Sequence, residues 1–507
     1  MHALTDFRWP SQYIVSSILC SFGGFLFGMD TSIIGPVTVM DRYMADFGTA
    51  SATVHGLVVS SILIPAAISS FFAGRVADAV GRPKGISIGG LIFGLGAALE
   101  AGAVHLAMFV VGRVVEGVGE GIFLGNLVVY ICEIAPPRRR GPLTSGPQLL
   151  NTVGLVVGFF TCYGSRNINS SLAWRLPFAL LAAFSFLFAA VSLLWLPESP
   201  RWLVLCHREA EAARAWDVLG VESADREKSH HGHENAVTVA ANLNDSTEQL
   251  GNPVTSLSAP VKNKSSLLDA FAPDVRARTM LSVFILGMQQ MSGIDGILYY
   301  APLLFERAGL TSSSASFLAS GVSAIVILSV TIPALIWADK WGRRQSTIYG
   351  GLGLSVIMFL MGGLYAGNAV HDSYGAGRWV VVVSIYLFAV VFCISWAVGI
   401  KIYVAESQPQ RTRASATSLA HGSNWIANFL VALTTPILLD RSTFGAYFLF
   451  GGCTLLTAVV CLIWMPETKG KSLDEIEAAF SHKAPGTRTF FRSIRRLLRG
   501  LQGGRDQ

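Results

Sequence analysis

A short cassette in which a carboxylate precedes Gly-Arg occurs twice in this chain, about half a chain length apart. The first copy reads GRVADAVGRPK over residues 74–84, and the second reads WADKWGRRQ over residues 337–345. Two further pairs keep nearly the same separation: YICEIAPPRRRG (130–141) with YVAESQPQRTRA (403–414), and LPESPR (196–201) with MPETKG (465–470). Such a repeat indicates two homologous halves, which in a membrane protein usually form a transporter with its site between them.

The composition indicates an integral membrane protein. Only 14% of the 507 residues are charged, and the mean hydropathy is +0.51, whereas soluble domains have about 25% charged residues. The seven cysteines show no CxxC or metal-ligand spacing, so we expect no disulfide framework, metal or cofactor. The chain contains no HExxH sequence, nucleophile elbow or Walker loop, which argues against an enzyme and against a primary pump.

Twelve apolar runs approach or exceed the roughly 20 residues that span a bilayer. They fall near residues 13–38, 54–77, 85–104, 106–132, 143–165, 176–196, 279–305, 315–338, 346–366, 379–405, 414–439 and 444–465. The pattern predicts an all-α membrane protein of twelve transmembrane helices in two pseudo-symmetric six-helix halves.

The polar segments divide the chain further. We predict an N-terminus over residues 1–12, a first half over 13–196, a linker over 197–278, a second half over 279–465 and a basic tail over 466–507. Within the linker, residues 208–219 have the pattern of a short amphipathic helix. The segment 487–502 interleaves five arginines with apolar residues at helical spacing, which predicts either a helix bound to an anionic inner leaflet or a disordered basic tail.

The loops at one end of the predicted bundle, here called the basic end, hold most of the loop Lys and Arg. These residues are Arg75, Arg82, Lys84, Arg138, Arg139, Arg140, Lys340, Arg343, Arg344, Arg411 and Arg413. The positive-inside rule places this end, the linker and both termini in the cytoplasm, and we expect a monomer in the plasma membrane. The sequon at Asn169 then lies outside and is open to glycosylation, whereas those at Asn244 and Asn263 lie inside.

Several motifs together resemble the sugar porter family of the major facilitator superfamily. They are GGFLFGMD (23–30), both D-x-x-G-R cassettes, GRVVEGVGEG (112–121), EIAP (133–136), PESPR (197–201), QQMSGIDGILYY (289–300) and NWIANF (424–429). The resemblance covers nearly all twelve spans. It implies the major facilitator fold and alternating access, in which the two halves rock around a central polar site.

Polar side chains in the middle of spans support a central site, because they are costly in lipid and usually face a cavity. The resemblance implies that sugar is bound by Gln148, Gln289, Gln290, the residue at 295, and Asn424 or Asn428. Amide groups both donate and accept hydrogen bonds, which suits vicinal hydroxyls. The alternative is that these amides tie neighbouring helices together.

Energy coupling is predicted to depend on Asp30 and Arg113, which both fall in the half of the membrane distant from the basic end. The resemblance implies proton symport, because the family's proton symporters have Asp at the position of Asp30. The alternative is a static Asp30–Arg113 bridge. Glu116 complicates either interpretation, since it follows Arg113 by three residues on the same helix and can compete for it.

The charged residues of the repeated cassettes are predicted to act as a gate at the basic end. The carboxylates can begin a helix or pair with arginine across the seam between the halves, holding one conformation and releasing it in the other. The gating set is Asp78, Arg82, Glu133, Asp339, Arg343 and Glu406.

The sequence departs from the family pattern in the central region. Asp295 replaces an amide, Lys401 stands where a Trp normally stacks on the sugar ring, and span 4 carries Glu116 and Glu120. Asp295 and Lys401 are predicted either to form an ion pair or to bracket the substrate together, and the alternative is that Lys401 reaches the cytoplasm.

Three functions remain open on the sequence alone. The leading one is proton-coupled symport of a sugar or sugar-like solute. The others are transport of an acidic sugar derivative or polar secondary metabolite, and a non-transporting sugar sensor. The expected partners are the solute, protons and membrane lipids, and no nucleic acid.

Overall fold

The computed structural model describes residues 11–136, 139–221, 270–272, 275–310, 312–337, 340–371, 375–409 and 412–469. The regular structure of these segments is helical. The helices are α1 (Gln12–Thr38), α2 (Asp41–Phe47), α3 (Ala52–Ser60), α4 (Leu63–Val80), α5 (Arg82–Ala101), α6 (Leu106–Ile134), α7 (Arg140–Thr144), α8 (Gly146–Ser165), α9 (Leu172–Trp195), α10 (Pro200–Leu205), α11 (Glu209–Leu219), α12 (Arg276–Gln290), α13 (Ile294–Tyr299), α14 (Ala301–Arg307), α15 (Ser313–Trp337), α16 (Arg343–Ala366), α17 (Gly377–Ser395), α18 (Gly399–Glu406), α19 (Arg413–Arg441) and α20 (Gly445–Trp464).

The helices reproduce the predicted series of spans. Within the described residues, eleven helical segments are long and apolar enough to cross a membrane. Helix α8, with 20 residues, lies where the remaining span was predicted, at 143–165. The linker helix predicted over 208–219 is present as α11. Residues 222–269 of the linker and the basic segment 487–502 lie outside the described residues.

Three predicted spans are interrupted rather than continuous. The second divides into α3 and α4, the seventh into α12, α13 and α14, and the tenth into α17 and α18. In the seventh, Gly293 has φ +86°, a left-handed conformation that glycine adopts without steric cost. In the tenth, the helix is interrupted at Trp396, just after α17 ends. The Trp396 carbonyl accepts a hydrogen bond of 2.7 Å from Gln289 of the seventh span. Irregular backbone at membrane depth is tolerated where protein or a cavity surrounds it.

Close backbone packing within the first half holds α1 against α8. A Cβ added to Gly24 would overlap the carbonyl of Pro147, and one added to Gly28 would overlap the carbonyl of Asn151. Glycine therefore allows an approach that a larger residue would prevent. This contact aligns α8, and with it Gln148, along the seam between the halves.

The two halves meet tightly at the end opposite the basic end. A Cβ on Gly35 of α1 would overlap the carbonyl oxygen of Tyr299 on α13. The rings of His55 and Tyr300 meet edge to face with their centroids 5.3 Å apart. The hydrophobic core of the first half accordingly extends to Tyr299 and Tyr300, together with Phe317 of the second half. This end of the bundle is closed.

Candidate functional site

The break in the seventh span places two glutamines and an aspartate near the centre of the bundle. Gln289 and Gln290 end α12, and Asp295 lies in the first turn of α13. Gln290 Nε2 donates to Asn424 Oδ1 on α19 at 3.3 Å. Asn424 Nδ2 donates in turn to the carbonyl of Leu286 at 2.9 Å. The predicted amides of these two helices are therefore brought together.

Several amide oxygens in this region lack a hydrogen-bond donor. Gln289 Oε1, Gln290 Oε1 and Asn428 Oδ1 are buried and unpartnered, and so is Oδ1 of Asn151 on α8. Asn428 Nδ2 is 3.5 Å from the hydroxyl of Tyr299. A buried polar atom without a partner is costly. Hydroxyl groups of a bound solute can supply the missing donors, so the arrangement suits a polyol.

Lys401 connects the halves at this level. Its Nζ lies 3.4 Å from Oε1 of Gln148 on α8. The Lys401 side chain is exposed, so it borders an open space at this contact between the halves. Both Lys401 and Asp295 belong to the described part of the chain, and no ion pair within 4.0 Å joins them. The direct ion pair is thus not formed in this conformation, although Asp295 lies close enough to interact electrostatically with Lys401.

Two tryptophans near the site have different environments. Trp396 is fully buried, and its indole donates to the carbonyl of Thr347 at 2.9 Å, so it packs within the second half. Trp425 is only partly buried, and its ring meets that of Phe27 across the seam with centroids 6.4 Å apart. Trp425 was not among the predicted site residues, although the NWIANF motif contains it. It is the better candidate for an aromatic surface against a sugar ring.

The Asp30–Arg113 pair is present and fully enclosed. Arg113 Nη1 lies 2.5 Å from Asp30 Oδ1, and the two side chains are 0% and 4% exposed. Arg113 Nη2 also donates to the carbonyl of Val59 at 3.4 Å. The predicted competitor Glu116 does share the guanidinium, because its Oε2 lies 3.2 Å from the same Nη1. A third carboxylate, that of Glu100 on α5, lies 3.9 Å away.

The sequence reasoning did not select Glu100, and it noted Glu120 only as a departure. Glu120 is 1% exposed and both of its carboxyl oxygens lack a donor. Glu100 ends an apolar run on another helix, so only the packing of α5 on α6 reveals that it belongs with Arg113.

The ion pairs of the first cassette stay within the first half. Arg82 Nη1 lies 2.6 Å from Asp78 Oδ1, and Arg82 also donates to both oxygens of Glu133 at 3.2 Å. The second half has a similar arrangement, with Arg343 Nη2 lying 3.4 Å from Glu406 Oε1. Both arginines therefore pair inside their own half in this conformation. Asp339 lies outside the described residues.

The sequon asparagine Asn169 lies between α8 and α9 and is exposed. This loop is at the end of the bundle opposite the basic end.

The model of the family described as "Sugar (and other) transporter" matches residues 16–480. A high-affinity glucose transporter of Kluyveromyces lactis is 28% identical, over 94% of this chain and 86% of the relative. A galactose transporter of Saccharomyces cerevisiae is 30% identical, over 92% and 81%. Among solved structures, the proton:xylose symporter XylE of E. coli, bound to 6-bromo-6-deoxy-D-glucose, is 25% identical with a TM-score of 0.72, covering 92% of this chain and 99% of that one.

The fold, the central polar site and these similarities define a multi-pass membrane transporter of the major facilitator superfamily rather than an enzyme. The chain belongs to the sugar transporter family. This confirms the resemblance and the fold class drawn from the sequence.

Proposed function

We propose that this protein is a proton-coupled sugar symporter that works by alternating access. The observation that carries the proposal is the enclosed pair of Asp30 and Arg113, which lies at 2.5 Å with almost no exposure. The pair connects α1 and α6 beside the central site. The similarity to a proton:xylose symporter supports the same conclusion. The named relatives are transporters, which favours transport over sensing.

In the proposed central site, amides bind the hydroxyl groups of a sugar. Gln289, Gln290 and Asn428 each offer an oxygen without a donor, and Trp425 offers an apolar face. Asp295, Asn424, Gln148 and Lys401 complete the proposed binding set. Lys401 and Gln148 contact each other across the seam. A hydroxyl placed between them would link the two halves and so favour their closure.

Protonation of Asp30 is the proposed coupling step. A protonated Asp30 would weaken its ion pair with Arg113 and free α1 from α6. The pair holds α1 against α6, so its loss would favour a different packing of these helices. Sugar binding and proton binding would thereby bias the same rearrangement, which is the thermodynamic requirement for coupling.

The proposed orientation places the basic end in the cytoplasm. The opposite end is closed by the contacts of Gly35 and His55 with the second half, and Lys401 is exposed. The conformation is thus proposed to be inward-facing. In the outward-facing state, the basic-end residues Asp78, Arg82, Glu133, Asp339, Arg343 and Glu406 would form ion pairs across the seam. Asn169 would face outside the cell, where it can be glycosylated, and we propose a monomer in the plasma membrane whose basic tail binds anionic lipid.

The proposal is tested by sugar uptake in cells lacking their own sugar transporters. A panel of neutral pentoses, neutral hexoses and sugar acids would be measured with and without a protonophore. We expect a neutral sugar to accumulate, the protonophore to abolish accumulation, and Asp30→Asn to abolish accumulation while retaining equilibrating exchange. Accumulation that persists in Asp30→Asn would refute the coupling role. Selective uptake of sugar acids would refute the proposed substrate class.

A further inference from the structure

Three carboxyl groups surround the single guanidinium of Arg113. Asp30, Glu100 and Glu116 lie 2.5, 3.9 and 3.2 Å from its Nη1. Glu100, Arg113 and Glu116 are completely buried, and Asp30 is 3% exposed. One cation can balance one carboxylate. A carboxylate without a partner in a dry interior takes up a proton rather than remaining charged. Two of the three carboxyls are therefore expected to be protonated.

The geometry indicates where a proton is held. Asp30 makes the shortest contact with Arg113 and is its counter-ion. The Glu100 and Glu116 carboxyls lie close to each other, because both are beside the same nitrogen, Arg113 Nη1, at 3.9 and 3.2 Å. Neither Glu100 oxygen, nor Oε1 of Glu116, has a donor group as partner. Ionised carboxylates only accept hydrogen bonds, so a hydrogen bond between the two requires a proton on at least one of them.

Close packing of α5 on α6 creates the pair. A Cβ on Gly112 of α6 would lie 2.7 Å from Cγ of Glu100. A Cβ on Gly96 of α5 would lie 2.6 Å from Cβ of Glu116. The two glycines thus face the two glutamates across the interface. Without them, the helices could not approach closely enough to bring the carboxyls together.

Among the described residues, the other groups that face the cluster include no second cation. They are the Tyr43 hydroxyl from α2, the Val59 carbonyl from α3, the Tyr299 phenol from α13 and, on α6 itself, the Glu120 carboxyl one turn along from Glu116. In the described part of the chain, the only ion pairs of Asp30, Glu100 and Glu116 are those with Arg113. Arg113 is therefore the charge for which these carboxyls compete.

We propose that the Glu100–Glu116 pair is a second proton-binding site that donates its proton to Asp30 during transport. In this step one proton passes from the Glu116 carboxyl to the Asp30 carboxylate. At the same time, Arg113 Nη1 stops donating its hydrogen bond to Asp30 and donates to the newly ionised Glu116 instead. Charge and proton number in the cluster are unchanged, and Arg113 keeps a counter-ion throughout. The inference rests on the proposed coupling role of Asp30.

The first test is the pH dependence of sugar accumulation by full-length protein in proteoliposomes. In Glu116→Gln, protonation of Asp30 would leave Arg113 without its nearest replacement counter-ion. Protonation would then require a lower pH, so we expect the profile to move to acid by about one unit or more. Glu120→Gln, a buried substitution on the same helix outside ion-pair distance of Arg113, is the matched control and should leave the profile in place. An unmoved or alkaline-shifted profile in Glu116→Gln would overturn the proposal.

The second test does not depend on transport. Infrared spectra of the reconstituted protein at neutral pH should contain carboxylic-acid carbonyl bands from Glu100 and Glu116, and Glu116→Gln should remove the Glu116 band. Asp30→Asn should remove the same band, because Glu116 then ionises to replace Asp30 as the counter-ion of Arg113. Glu116→Asp keeps the carboxyl and should keep the band if Glu116→Gln folds poorly. A carboxylic-acid intensity that is the same in Glu116→Gln as in the wild type would overturn the second site. Proton coupling that survives in Asp30→Asn would instead refute the proposed function, whatever the infrared result.

Discussion

Replacing Gly35 with alanine tests whether the closed end of the bundle is one of two alternating states. A Cβ at this position would overlap the carbonyl oxygen of Tyr299 and lie 2.7 Å from its carbonyl carbon. This contact crosses the seam between the halves, so it exists only while that end is closed. Overpacking of a tight contact costs about 1–3 kcal/mol. The conformation with this end closed should therefore lose population by about 5- to 150-fold relative to the open one.

The assay is a distance distribution between spin labels on Ala50 and Thr443, in a cysteine-free background. These exposed residues lie at the closed end, one in each half. Gly35→Ala should shift the distribution toward longer distances. Gly164→Ala is the matched control, because it lies toward the same end of α8 with open space around it. Gly164→Ala raises the helix propensity of its helix as Gly35→Ala does, so it controls for that effect. The reasoning is refuted if Gly35→Ala gives the same distribution as Gly164→Ala.

Three further results are expected. Glu133→Gln removes the two-oxygen contact with buried Arg82 and should lower the free energy of unfolding in detergent by about 1.5–3 kcal/mol. Trp425→Ala should weaken sugar binding by about tenfold, near the upper range of an aromatic contact, as measured by calorimetry. Burial raises the pKa of Glu198 despite the neighbouring Lys84, so the ionised form of Glu198 destabilises the fold. Glu198→Gln should therefore raise the melting temperature at neutral pH. The difference from the wild type should disappear at acid pH, where Glu198 is protonated.

Each of these predictions has a control and a contrary outcome. Glu209→Gln, an exposed substitution, should leave stability unchanged; if Glu133→Gln behaves in the same way, the Arg82 contact contributes nothing. Trp425→Phe should bind more tightly than Trp425→Ala, and equal affinities would exclude an aromatic contact with sugar. If the melting-temperature difference between Glu198→Gln and the wild type grows toward acid pH, the ionised form of Glu198 does not destabilise the fold.

Local patterns sufficed to predict the overall architecture. Apolar length identified the spans, the repeated cassettes identified the two halves, and spacing on one helix identified Glu116 as a competitor for Arg113. These features depend on residues close together in the chain, or on a motif that occurs twice. The short helix α11 was predictable for the same reason.

Features that depend on contacts between helices were not predictable. Glu100 joins Arg113 only because α5 packs against α6. The direct pairing considered for Asp295 and Lys401 is replaced by a contact between Lys401 and Gln148, which depends on how far the halves are separated. The breaks in the spans also follow from tertiary contacts, such as the hydrogen bond that Gln289 gives to the carbonyl of Trp396.

The central claim is that sugar and protons cross together through Asp30 and Arg113. It is tested most directly by recording the internal pH of proteoliposomes when sugar is added outside, with no pH gradient imposed. We predict acidification of the lumen that accompanies sugar entry in the wild type and disappears in Asp30→Asn while sugar exchange continues. Sugar entry in the wild type without any change in internal pH would contradict the claim.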